Sequence, residues 1–106
     1  MTDPVRLVDV PRSITCTQEQ CVQAHVDGRV YLIQPTHPYK PIAWVYEGKT
    51  KDLIGSIVCF AGHIQADCHG LHYRDDKYQV QDDVRQIAMA YFEREGYTGC
   101  KFMPSR

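Results

Sequence analysis

Four residues able to ligate zinc fall within 14 positions, Cys59-x3-His63-x4-Cys68-x3-His72, and His69 lies among them. Thiolate and neutral imidazole are the donors that tetrahedral zinc takes. Gly62 and Gly70 supply turns that would bring the four together. Absent from the set is a C-x2-C pair, the close spacing that makes common zinc motifs specific. The plainer alternative is a buried Cys59, a loop Cys68 and surface histidines. A zinc centre at Cys59, His63, Cys68 and His72, structural or hydrolytic, therefore stands as the second reading. Cys16-x4-Cys21-x3-His25 is weaker still. On a strand Cys21 and His25 share a face but sit about 13 Å apart at 3.3 Å per residue, too far to hold one ion.

Cysteine nucleophiles need a neighbouring base and a third group to orient it. Asp67, Cys68, His69 and His72 supply the residue types, but consecutive side chains on a strand or loop point apart. No G-x-S-x-G, H-E-x-x-H or EF-hand pattern occurs, and Gly48-Lys49-Thr50 lacks the upstream glycine of a P-loop. The balance is against an enzyme. The five cysteines are an odd number, which suits a reduced compartment better than a secreted disulfide scaffold. The opening MTDPVRLVDV has no cationic stretch followed by an apolar one. Five reduced thiols and a cytoplasmic address are the expectation.

The elements that must position these groups follow from pattern. Asp27-Gly28 between two β-rich runs is a type I′ turn signature, both central residues needing positive φ. It pairs Val26 with Arg29, Ala24 with Tyr31 and Val22 with Ile33, leaving Gln23, His25, Val30 and Leu32 on the other side. Val5–Val10, stopping at Pro11, reads as an edge strand. Thr17 with Gln20 fits a capping box in the ambiguous stretch 13–20. Ile42–Tyr46 and Leu53–Ala61 are apolar on both parities, the mark of central strands covered on both faces. Leu71–Val80 reads as a second hairpin turning at Asp75-Asp76. A helix is expected from about Asp82 to Glu95, with Val80, Val84, Ile87, Ala88, Tyr91 and Phe92 as its apolar stripe. Asp82 and Asp83 would lie at its positive end, and Gly96 would end it with Tyr97 folding back on Phe92. Residues 98–103 could add a last short strand.

The sum is one domain spanning residues 1–106, of α+β class. A mostly antiparallel sheet of about five to seven strands, two hairpins among them, packs on one helix in the C-terminal half, at about 82–95. At 12.2 kDa, formal charge −1 and pI near 6.5, the chain has no general attraction for phosphates or anionic lipid, and no apolar run is long enough to span a bilayer. Lys40, Lys49 and Lys51 near Tyr39, Trp44 and Tyr46 are the best basic-aromatic cluster, diluted by Glu47 and Asp52. Nucleic acid is thus not the expected partner.

Seven tyrosines and one tryptophan are more aromatic surface than one helix covers. Tyr39 and Lys40 sit between Pro38 and Pro41, and Trp44 and Tyr46 share one face of the next strand. Tyrosine and tryptophan are enriched at interfaces for their rigid contact area and polar handle. The first reading is therefore a non-enzymatic protein-binding module, a regulator, inhibitor or adaptor or a self-associating dimer, with Tyr39, Lys40, Trp44 and Tyr46 at the contact and no cofactor.

Overall fold

A computed structural model of the chain describes residues 5–10, 21–36, 40–71, 74–97 and 99–102. Expectations placed on 13–20, on Tyr39 and on His72 fall outside them. Seven strands, β1 (Val5–Val10), β2 (Cys21–Val26), β3 (Arg29–Pro35), β4 (Ile42–Glu47), β5 (Leu53–Phe60), β6 (His63–Cys68) and β7 (Lys101–Phe102), form a sheet in sequence order. The first six are antiparallel neighbours; β7 joins β6 in parallel after the helix α1 (Lys77–Arg94). The class is α+β.

The β2–β3 hairpin has the expected register, Val26 opposite Arg29, Ala24 opposite Tyr31 and Val22 opposite Ile33. Asp27 and Gly28 take φ of 50° and 86°. β4 and β5 lie inside the sheet and β1 at its edge, as their patterns imply. The second hairpin is not at 71–80. It is made by β5 and β6 around Ala61-Gly62, with φ of 52° and 80°, and the helix starts at Lys77 rather than at Asp82. Asp75-Asp76 does turn the chain, but Val80 belongs to the helical stripe with Val84, Ile87 and Tyr91, all buried. One added turn of helix buries Val80 there, which a solvent-margin hairpin would not. At the other end the expected stop is present: Gly96 takes φ 101°, the Tyr97 N–H donates to the Phe92 carbonyl at 2.8 Å, and the two rings meet edge to face.

A flat sheet of this many strands would be about 29 Å across at 4.8 Å per strand, against about 10–12 Å for a helix. Yet α1 touches β1 and β2 near one margin and β5 and β6 toward the other. The sheet must therefore curl around the helix. Its inner face carries aligned rows, such as Val22, Ile33, Val45, Gly55 and Cys68 on successive strands. Gly55 is required in that row, because a β-carbon there would stand 2.2 Å from the Asp67 carbonyl oxygen. Val84, Ile87, Ala88 and Phe92 fill the trough, each fully buried. Burial of Ile87 or Phe92 contributes about 1.5–3 kcal/mol apiece.

Asp83 is the exception in this interior. Expected at the exposed helix start, it sits on the second turn with no exposure at all. Its carboxylate accepts four hydrogen bonds. Arg29 Nε and the Tyr31 hydroxyl donate to Oδ2, both at 2.6 Å. Arg29 Nη2 and Gln79 Nε2 donate to Oδ1, both at 3.1 Å. The bond to Asp83 raises the Arg29 pKa further, and burial, then the same carboxylate, raises that of Tyr31. No buried side-chain polar atom among the described residues lacks a partner.

This geometry has two consequences for stability. Asp83→Asn turns an amide donor toward groups that already donate, and removes the charge Arg29 needs. A loss of about 3 kcal/mol in urea unfolding is expected; it lies at the low end for a broken buried pair because the Arg29 side chain is 35% exposed and can rehydrate. Ala61→Gly should act the other way, raising stability by about 0.5–1 kcal/mol, since an alanine held at φ 52° is strained where glycine is not.

Candidate binding surface

Alternation along the strands, with one register shift opposite Val45 and Tyr46 that turns Leu53 outward and Ile54 inward, defines the sheet's outer face, the one turned from the helix. Register places Ile42, Trp44 and Tyr46 of β4 there, with Val58, Ser56 and Leu53 of β5 directly opposite them. Phe60 continues that side of β5, and Val8 of β1 and Leu32 of β3 lie on the same face. The apolar pattern of β4 and β5 implies cover on both faces. One is not covered: Phe60 is 79% exposed, Leu53 43% and Trp44 38%, because the helix packs only on the inner side. Tyr46 is half-buried and Lys40 exposed at the entry to β4. Trp44 and Tyr46 thus share a face as expected. Leu53 and Phe60 join them there, unforeseen because their run reads as a buried strand.

The three zinc candidates among the described residues are held apart. Cys59 pairs with Ile64, and Cys68 with Gly55. The two thiols occupy the inner face but are separated by four residues of strand, about 13 Å. His63, opposite Phe60, is on the outer face. A single ion cannot reach Cys59, His63 and Cys68 in this hairpin, and no group of three or more such ligands meets among the described residues. Neither thiol has the lowered pKa of a catalytic cysteine. Burial pushes the Cys59 pKa up to about 11, helped by a hydrogen bond with Cys100. Burial, then the charge of Asp67, raises Cys68. Cys21 is disulfide-bonded, so the expectation of five reduced thiols is corrected there; an odd count requires one unpaired cysteine, not five.

Two further depressions flank the sheet. An open groove of about 570 Å³ runs between the margins, with Val5 and Leu7 on one wall, Phe102 on the other and Met89 and Ala90 on its floor. Its arginines are engaged: Arg94 pairs with Asp9, and the Arg85 guanidinium lies 4.2 Å from the centre of the Phe102 ring. The second depression contains Glu47, His69 and Arg74. Arg74 donates to both Asp76 oxygens at 2.9 and 3.0 Å, and to Glu47 Oε2 at 3.2 Å. The Arg74 bonds hold both carboxyls below their ordinary pKa. This ion network ties the start of the helix to β4.

The chain matches no family model, no curated protein and no solved structure.

Because the Glu47 pKa is depressed on folding, its contribution is complete above the ordinary carboxylate pKa and disappears as pH falls through the folded one. Glu47→Gln should therefore cost up to about 1 kcal/mol at pH 7, the scale of a partly exposed ion pair. The wild-type and variant unfolding curves should converge in acid, and a gap that persists at about pH 2, below the carboxylate range, would contradict the assignment.

Proposed function

We infer that the chain is a protein-binding module whose contact surface is the outer face of β4 and β5. The observation that carries this reading is the placement of Trp44, Leu53 and Phe60, all more than a third exposed, on one face of two adjacent strands. Large rigid apolar side chains gathered on an uncovered face lose hydration favourably when another surface covers them. Strand pairing fixes the backbone beneath them, so little freedom remains to be lost on association. Lys40, at the entry to β4, supplies a charged rim to the apolar patch, the arrangement of protein interfaces generally.

The partner this chemistry suits is a protein with an apolar surface of its own, whether another chain or a second copy of this one. A photoreactive benzoyl-phenylalanine at position 60, introduced in the expressing cells, tests it. The control is the same group at position 78, where Tyr78 is 73% exposed on the helix. A discrete adduct from position 60, absent from position 78 and reduced more than about fivefold by Trp44→Ala, is expected for an anchor residue. The adduct's mass tells a second copy from another protein. Equal labelling at both positions, or none at 60, would sink the reading, provided the melting temperature of Trp44→Ala stays within about 2 °C of the parent.

A further inference from the structure

Cys59 and Cys100 come from opposite ends of the fold's second half, yet their sulfur atoms lie 3.2 Å apart. Cys59 is on the inner face at the end of β5, beside Ile64. Cys100 immediately precedes β7 and is partly exposed, its thiol also donating to the Tyr97 carbonyl at 3.2 Å. Both are free thiols. A disulfide has its sulfurs about 2.05 Å apart, so closure requires an approach of only about 1.2 Å. Cys68, the remaining described free thiol, lies far along β6 from both.

We propose that Cys59 and Cys100 are a reversible disulfide site, closed by thiol–disulfide exchange with a small-molecule disulfide such as oxidised glutathione. The exposed partner, Cys100, is the entry point. Its thiolate attacks one glutathione sulfur, breaking that disulfide, forming a mixed disulfide on Cys100 and releasing one glutathione thiol. The Cys59 thiolate then attacks the Cys100 sulfur, forming the internal bond and releasing the second glutathione. Two protein thiols lose two electrons, the glutathione disulfide gains them, and the two protons end on the glutathione products. The order follows from accessibility, since Cys59 is 6% exposed and meets a bulky disulfide poorly.

The bond would have a definite mechanical effect. β7 is only two residues long, held to the sheet through His63↔Lys101 and Ile64↔Phe102 and by the Lys101 N–H to the Gly62 carbonyl. Linking Cys100 to β5 would fasten this strand to the sheet. Phe102, which walls the groove and lies under Arg85, would be fastened with it. The thiol pair thus sets how firmly the groove's second wall is held.

The test is to equilibrate the folded, full-length protein with oxidised glutathione, alkylate the remaining thiols, and map the peptides by mass spectrometry. A Cys59–Cys100 peptide link is expected, with Cys68 alkylated. The melting temperature should exceed that of Cys100→Ser, treated identically, by about 10 °C or more, as for a cross-link closing a loop of this length. Cys59→Ala should accumulate the glutathione adduct on Cys100. Cys100→Ser provides the second arm should that core variant fail to fold: it should leave Cys59 unlinked and free of glutathione. Alkylation of both Cys59 and Cys100 after oxidation, a bridge to Cys68, or a glutathione adduct that persists on wild-type Cys100 would each overturn the proposal.

Discussion

The carboxylate of Asp83 is the constraint on which the arrangement of the fold depends. A bare carboxylate with no exposure would be costly, and only a full set of donors offsets its desolvation. Here both Arg29 and Tyr31 come from one strand, β3, and Gln79 from the preceding turn of the same helix. An apolar stripe alone would let the helix slide or rotate in the trough with modest loss. Four directed hydrogen bonds do not. They set the helix rotation that turns Val80, Val84 and Ile87 inward and leaves Met89 and Glu93 on the groove side. The β2–β3 turn matters for the same reason, since Arg29 directly succeeds Asp27-Gly28 and a register slip would turn Arg29 and Tyr31 to the wrong face.

One helix can cover one face of a sheet, and the curl makes that cover efficient on the inside while enlarging the outside. β4 and β5 are apolar on both parities, so their outer residues receive no cover from the helix. Tyr46 and Leu32 are directly opposed across β3 and β4, which hides part of each. Leu53 faces Tyr46 from the other side yet stays 43% exposed, Trp44 lies beyond that pair, and Phe60 projects at the end of β5 where the chain turns. The alternation that builds the core, together with the register shift that turns Leu53 outward, therefore gathers the exposed apolar side chains on a surface with a fixed backbone.

The features legible in the residues are those that local chemistry determines. Asp27-Gly28 specifies its turn within two positions, and the register of β2 and β3 is set by it. Gly96 and Tyr97 end the helix by contacts with its own last turns. β6 is harder to see although Ile64, Ala66 and Cys68 alternate with His63, Gln65 and Asp67, because its cysteine and histidine read as ligands and Ala61 is no turn signature. The helix start is displaced from its expected position because Asp75-Asp76 is a real turn, and a turn does not determine whether a strand or a helix comes after it. Asp83 is not recognisable at all. In sequence it is one acid beside another, and the residues that make its burial tolerable are 52 and 54 positions away. The candidate surface is half legible for a similar reason: Trp44 and Tyr46 show their shared face by spacing, whereas the exposure of Phe60 depends on which side the helix takes, and that of Leu53 on the register shift opposite Val45 and Tyr46.

An open sheet leaves two edges, and unpaired strand edges invite pairing with other chains. Both edges here are tied back to the helix by arginines. Arg94 pairs with Asp9 on β1, and Arg85 covers Phe102 on β7. The two contacts differ in kind. The first is an ion pair between partly exposed groups and is weakened by salt; the second rests on a ring face and on a strand of two residues. β1, with six residues paired along β2, has its own backbone ladder to hold it. β7 has little, so the side chains around it decide whether that margin stays closed. The thiol pair at Cys59 and Cys100 stands at this weaker margin, where one covalent bond changes most.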